Sequence, residues 1–434
     1  MFKTLKNALG LPDLRSKILY TLFILLIFRL GSQVFVPFVD SNAINLFLNS
    51  AEASGSIFGY LDILSGSAFS QATLFALSVS PYITASIVIQ LLTIAIPALE
   101  RLAKEGPEGQ KKLTQITRAV TVVLGLVTAI GYYMFLRNYD FLTADGRGWF
   151  PAIVIIACYS AGASIIMWLA EKINENGIGN GISLVLLVNI LSRGPAIVGA
   201  LINSFTSVSN AVFAIVAVVV SLGMIVFIVF MTNSERKIPI QYAKRVVGRK
   251  MYGGQNSTLP IKLNMTGVLP IIFAQSIVSL PSTITLFLRP ENGFRVFVEK
   301  YLGTGSWIYA ILYFILIVAF SYFYIAISFN PVEVANNLQS NGGVIPGIRQ
   351  GRPTAEYITK ILNRITLIGA MFLSVIAVLP LIINIISTSV NSTSNMAELA
   401  FGGSSIIIVV GVILETVREI EAQMTMRHYK GFLE

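Results

Sequence analysis

Long apolar runs alternate with short polar ones along almost the whole chain, and their lengths set the first expectations. Apolar stretches at about 18–36, 74–94, 115–136, 151–170, 181–201, 210–231, 266–288, 307–329, 360–386 and 403–421 each approach the roughly 20 residues a helix needs to cross a bilayer. They predict ten spans, and so an all-α polytopic membrane protein. One piece stands outside the series. Residues 58–69 are apolar, interrupted by Gly66, too short to span, and run directly into the second span. A half-length segment at membrane depth is tolerated where protein buries it or where it lines a watery cavity. Two readings follow: a fixed re-entrant or interfacial helix, or a movable part folded back into the middle of the protein.

The polar stretches divide the chain further. Residues 40–56 and 387–398 carry no Lys or Arg. Two excursions are long. The first, 232–264, contains Ile238-Pro239-Ile240 and Met251-Tyr252-Gly253-Gly254, which read as strand and turn pieces of a hairpin. The second, 330–356, is rich in Gly and Pro. Five spans fall in residues 1–201 and five in 202–434, so the two halves have opposite orientation. That is the plan of an inverted repeat, which builds its site where the halves meet.

Composition sharpens this picture. The chain is 55% hydrophobic and only 12% charged, about half the charge of a soluble protein. Its net charge is +10, and 24 of its 31 Lys and Arg lie on the side of the two termini, against six on the other, with Arg29 inside the first span. Positive charge accumulates on the cytoplasmic side, which predicts cytoplasmic termini and cytoplasmic long loops. Lys3 and Lys172 need no reading beyond topology. The seven basic residues of 232–264 read instead as a surface for a large partner.

Several chemistries are missing. Cys158 and His428 are the single Cys and the single His, which cannot build a Cys/His metal site or a Ser-His-Asp triad. No GxxxxGK[ST] loop occurs, so nucleotide energy would have to come from a partner. The expectation is no catalysis, no metal and no cofactor. Asp62, Arg29 and Glu415 are the ionisable residues near span interiors and read as helix-end or snorkelling groups. Their scarcity argues against an ion-coupled solute transporter, whose pathway such residues mark. Amides and hydroxyls recur in three spans: Thr84, Ser86 and Gln90 in the second, Ser183 and Asn189 in the fifth, Gln275 and Ser276 in the seventh. They read either as helix–helix contacts or as a seam that opens.

A set of motifs, in order along essentially the whole chain, resembles the SecY family of protein-translocation channels. Phe28-Arg29-Leu30-Gly31 resembles the end of the family's first helix. Pro81-Tyr82-Ile83-Thr84-Ala85-Ser86-Ile87 with Gln90-Leu91-Leu92 resembles its second. Gly177-Ile178-Gly179-Asn180-Gly181-Ile182-Ser183 is similar to the start of its fifth. Leu259-Pro260-Ile261-Lys262-Leu263-Asn264-Met265 and Gly267-Val268-Leu269-Pro270-Ile271-Ile272-Phe273 lead into its seventh. Asn330-Pro331, Ala335-Asn336-Asn337-Leu338 and Pro346-Gly347-Ile348-Arg349 match its large cytoplasmic loop, and Phe401-Gly402-Gly403-Ser404-Ser405 the start of its tenth.

The resemblance implies two five-helix halves clamped around an hourglass pore. It implies a constriction ring of Val79, Ile83, Leu186, Ile190, Ile272 and Ile408, with Val79 and Leu186 standing where isoleucine is commoner. It also implies a plug containing Phe58, Tyr60, Leu61, Ile63, Leu64 and Phe69, and a lateral gate with Thr84, Ser86, Gln275 and Ser276. Lys244, Arg245, Arg249, Lys250 and Arg349 would bind the motor ATPase SecA or ribosomal RNA of the ribosome. SecE and SecG are implied as companion subunits, signal sequences and nascent chains as the cargo, and the bacterial plasma membrane as the site. Two other readings stay open: an accessory paralogue with a narrow substrate set, and a secondary solute transporter on inverted repeats. The orientation is testable by itself. Cysteines placed by Arg245→Cys and Arg349→Cys should resist an impermeant thiol reagent in intact cells and react after lysis; modification without lysis would overturn it.

Overall fold

The computed structural model describes residues 8–48, 62, 65–204, 208–242, 245–247, 250–252, 256–288, 292–303, 305–390 and 402–430. In chain order the first part holds α1 (Pro12–Gly31), α2 (Ser41–Leu48), α3 (Ser80–Ala95), α4 (Pro97–Lys104), α5 (Pro107–Asn138), α6 (Trp149–Asn176), α7 (Gly181–Ser192), α8 (Gly194–Ser204) and α9 (Val208–Asn233). Then come β1 (Glu235–Tyr242), β2 (Arg245–Val247), β3 (Lys250–Tyr252) and β4 (Asn256–Lys262). The rest holds α10 (Leu269–Thr285), α11 (Gly293–Tyr301), α12 (Trp307–Ser328), α13 (Pro331–Ser340), β5 (Gly343–Val344), α14 (Arg352–Val390) and α15 (Gly402–Lys430). Proline in the first turn starts α1, α3, α4, α5, α10 and α13, where its missing N–H costs nothing. Asn180 caps α7 and Asn330 caps α13, each side chain accepting two backbone N–H groups of the first turn.

A helix stands at each of the ten expected positions, but they are not ten equal spans. Among the described residues, four helices are long and apolar enough to cross a bilayer alone: Pro107–Asn138, Trp149–Asn176, Trp307–Ser340 and Arg352–Ile383. The pair α3 and α4 makes a fifth if counted as one span, though it bends by 101° at Ile96-Pro97. The others are shorter, broken or more charged. Helix α1 begins six residues earlier than expected and so carries Asp13, Arg15 and Lys17. The expected span at 181–201 is cut in two at Arg193, because Gly194-Pro195 starts a new helix.

The largest departure lies between α1 and α3. Helix α1 ends at Gly31, and the expected helix at 74–79 is a series of turns. Of the half-length segment, Asp62 and Ser65 are helical and residues 66–69 form turns; Phe58, Tyr60, Leu61, Ile63 and Leu64 lie outside the described residues. Left-handed backbone at Gly66, Ser67, Ala72 and Ser78 cannot propagate a helix. The extended residues 34–36 pair with this segment instead: Leu74 N–H donates to Val34 O at 2.8 Å and Val36 N–H to Ala72 O at 3.1 Å.

The two halves repeat one local construction. Ser78 and Gly267 both have left-handed backbone, with φ of 52° and 63°. Each is followed by a valine that caps the next helix in nearly the same conformation: Val79 at φ −87°, ψ −3° and Val268 at φ −95°, ψ −6°. Val79 O accepts from Tyr82 and Ile83 N–H at 3.1 and 3.0 Å, and Val268 O from Ile271 and Ile272 N–H at 3.1 and 3.2 Å. Proline is the second helical residue in both, Pro81 and Pro270. Ile83 and Ile272 thus occupy the same station on α3 and α10. This shared geometry is stronger support for an internal repeat than equal span counts.

The two long polar excursions form one unit. Strands β1 and β4 make the expected hairpin stem, and β5 from the second excursion adds to β1, giving the order β4-β1-β5. Pro239 is tolerated in the central strand because β5 pairs only with Gln241 and Tyr242, leaving the N–H that proline lacks unneeded. Ile238 and Ile261 from the sheet, with Ile345 just past β5, pack with Ile358, Leu362 and Ile365 of α14, so the sheet is seated on a long helix.

Candidate functional site

The six residues of the expected ring come from four elements: Val79 and Ile83 at the start of α3, Leu186 and Ile190 on α7, Ile272 on α10, Ile408 on α15. All six are buried, and all belong to one continuous apolar cluster. Four of them, Ile83, Leu186, Ile272 and Ile408, converge on one crevice of about 240 Å³ between α3, α5 and α10. Val79 and Ile190 are packed in the same cluster but do not line it. The crevice is largely apolar, with Thr84, Thr128, Tyr132, Gln275, Ser276, Ser279 and Thr283 as its hydroxyl and amide lining beyond the start of α3.

Three of the four expected gate residues, Thr84, Gln275 and Ser276, therefore face one space. Ser86 stands further along α3, accepting from Gln90 Nε2 at 3.3 Å. The polar groups are satisfied on their own sides. Gln275 donates to the Tyr309 hydroxyl of α12 at 2.8 Å, and Ser276 to Ile272 O of its own helix at 2.9 Å. Among the described residues no side-chain hydrogen bond joins α3 to α10. Parting them separates apolar surface and breaks no directed bond between the two helices; Gln275 is a helix–helix contact, joining α10 to α12.

Phe69 also lines the crevice and is clamped from the side of α5. Its carbonyl accepts from the Tyr132 hydroxyl at 2.8 Å, and its ring lies 4.7 Å from that of Tyr132, centroid to centroid. Phe287, just past α10, lies against Gly131 of α5. Beyond it, the fully buried Arg295 of α11 donates to the Tyr139 hydroxyl that follows α5 and stands 5.2 Å from that ring's centroid. Burial pushes the Tyr139 phenol above its ordinary value, against the pull of the Arg295 charge, so it stays a neutral partner. This junction ties the two halves together at one end of the seam.

A second cavity, of about 350 Å³, lies between α9, α10 and α15 and holds Lys262, Asn264, Glu415, Arg418 and Glu419. Burial, with Arg418 beside it, pushes the Lys262 ammonium below the usual lysine range. Glu415 sits here, away from the crevice.

Of the expected partner-binding residues, Arg349 is exposed on the turn after β5, where Gly347 has φ 82° and Arg349 O accepts from the Thr354 hydroxyl at 2.8 Å. Arg245 and Lys250 stand on the short hairpin β2–β3. Lys244 and Arg249 lie outside the described residues.

Sequence reasoning missed one contact at the site. Asp62, read there as a helix-end group, is buried and lies 3.2 Å from the Arg193 guanidinium. A signal was present: an acid in the half-length segment and a base at the break of the expected fifth span, both set in apolar runs, where charges need partners.

A family model for SecY matches residues 73–417. The chain is similar to the protein translocase subunit SecY of Streptomyces galbus, 40% identical over 442 residues, and to that of Mycobacterium bovis, 40% identical over 450 residues, with 100% of each chain covered. Its fold is similar to a solved protein-conducting channel, with TM-score 0.65, 18% identity, and 94% of this chain and 92% of that one covered. It is also similar to a SecY whose plug domain stabilises the closed state and maintains a membrane seal, at TM-score 0.63 and 18% identity with the same coverage. Sec61 in a canine ribosome–channel complex matches at TM-score 0.61 and 17% identity, again with 94% and 92% covered.

Proposed function

The chain belongs to the SecY family, and from that membership we propose that it is the central, protein-conducting subunit of a bacterial protein translocase. Unfolded secretory chains cross the plasma membrane through it, and apolar segments leave sideways between α3 and α10 into lipid. The observation that carries this reading is the crevice. Four aliphatic side chains from four helices meet there, beside a contact in which no side-chain hydrogen bond joins α3 to α10 among the described residues. A narrow aliphatic collar excludes water and ions by dewetting. It makes no directed bond to a passing chain, so it suits many sequences.

In this reading ten spans form two inverted halves, 1–201 and 202–434, with both termini in the cytoplasm. Val79, Ile83, Leu186, Ile190, Ile272 and Ile408 form the collar. The segment 58–69 is the plug, and Thr84, Ser86, Gln275 and Ser276 mark the gate. The two long loops are cytoplasmic, and their Lys244, Arg245, Arg249, Lys250 and Arg349 bind SecA or the ribosome, where phosphate contacts by Lys and Arg are electrostatic and salt-sensitive. A ribosome–channel complex among the similar folds supports the second partner. SecE and SecG are the companion subunits. The motor or the ribosome supplies the energy.

Depletion in the source cell tests the general role: many unprocessed secretory precursors should accumulate. Accumulation of only a few would point to an accessory channel, and of none to a solute carrier. For the gate, a disulfide between cysteines placed at or next to Thr84 and Gln275 should block export, and reduction should restore it. Export that survives complete cross-linking would rule out opening there. For the collar, Ile83→Asn, Ile272→Asn or Ile408→Asn should let precursors with defective signals through. Losing one large aliphatic contact, worth about 1.5–3 kcal/mol, shifts the closed–open balance by roughly tenfold or more. Variants that still reject the defective signal would make these residues ordinary core.

A further inference from the structure

A buried carboxylate and a half-buried guanidinium meet at the junction between the turn segment 65–79 and the end of α7. The Asp62 and Arg193 side chains are 9% and 18% exposed, and their Oδ2 and Nη1 atoms are 3.2 Å apart. The second Asp62 oxygen accepts from Ser70 N–H at 2.8 Å, while the Asp62 carbonyl accepts from Ser67 N–H at 3.0 Å. The carboxylate thus organises the turn and at the same time holds the guanidinium. Arg193 is the C-terminal cap of α7, where a cation also meets the negative end of the helix dipole. Two neutral contacts flank the pair. The Ser192 hydroxyl stands 3.3 Å from Gly66 O, and Asn189 Nδ2 donates to the Ser78 hydroxyl at 3.1 Å. Gly66 has φ 65°, and a Cβ there would sit 2.7 Å from Ser192 Oγ and 2.8 Å from Asn189 O. The turn is therefore fitted against α7 at Asp62, Gly66 and Ser78.

We propose that Arg193 is a positioning residue of the seal: paired with Asp62, it fastens the plug-bearing turn to α7 in the closed channel. This rests on the reading of 58–69 as the plug. In a dry, low-dielectric site, separating the pair leaves two uncompensated charges, which is strongly unfavourable. Water relieves that cost. The pair therefore holds while the pore is dewetted and lets go once an entering chain brings water in. Displacement of the plug is tied to hydration of the pore instead of to any particular cargo sequence.

The test uses the full chain with its companion subunits in planar bilayers, read as the frequency of ion-conducting openings with no substrate present. Asp62→Asn and Arg193→Gln should each raise that frequency by about tenfold or more. The double variant, which leaves no unpaired charge to disturb folding, should leak comparably. Arg193→Lys should restore most of the seal, as should the exchange of Asp62→Lys with Arg193→Asp. A channel lacking 58–69 is measured in parallel. If that deletion leaks while both neutralised variants stay closed, the fastening role is wrong and the plug reading stands. If the deletion itself stays closed, the plug reading fails. An exchanged pair that leaks as much as the single variants would show that pairing is not what matters.

Discussion

Irregular backbone at membrane depth must have its N–H and C=O groups satisfied by protein, since lipid offers no partner. The segment 65–79 imposes that constraint here, and much of the N-terminal part of the fold answers it. Phe69 N–H is met by the Ser65 hydroxyl, Ser70 N–H by Asp62, Phe69 O by Tyr132 and Ala72 O by Val36 N–H. Helix α1 stops early so that residues 34–36 can pair with the turn. Tyr132 and Tyr159 are fully buried, and their hydroxyls point at Phe69 O and Ala72 O. A segment supported from α1, α5, α6 and α7 is held in place without being a span.

The seam obeys the opposite logic. Its polar side chains are bonded within their own halves, as Gln275 is to Tyr309 and Ser276 to Ile272. What closes it is apolar contact, with the Arg295–Tyr139 junction at one end. Among the described residues, directed side-chain bonds are absent between α3 and α10, where the proposed pathway opens sideways, and gather on residues 62–78, where the proposed closed state is held until the pair is released. The proposed aliphatic collar lies where the two regimes meet, since Ile83 and Ile272 stand in the first turns of helices launched by the same left-handed turn and valine cap.

Much of this was legible in the sequence because hydropathy reports burial in lipid directly. The ten helix positions and the hairpin stem from Ile238-Pro239-Ile240 followed from pattern, and of the six aliphatic residues that the resemblance singled out, Ile83, Leu186, Ile272 and Ile408 line one crevice while Val79 and Ile190 do not. The departures share one cause. Leu74–Val79 is as apolar as a helix, and hydropathy does not separate apolar turns from apolar helix; the left-handed residues Ala72 and Ser78 are not glycines and give no warning. Gly194-Pro195 was visible, but a break near the end of a span carries the same composition as a span that simply ends. The two-residue strand β5 is too short to have a period, and its partner β1 lies about a hundred residues earlier. The Asp62–Arg193 pair joins positions 131 apart; each charge alone resembles a snorkelling residue.

The central claim is that a translocating chain threads the aliphatic waist. The direct measurement is site-specific photo-cross-linking to a precursor arrested midway. A photoreactive residue at Ile83, Leu186, Ile272 or Ile408 should capture the arrested chain, whereas one on the membrane-facing surface, at Val123 or Ile153, should not. Capture at the surface positions with none at the four waist positions would contradict it.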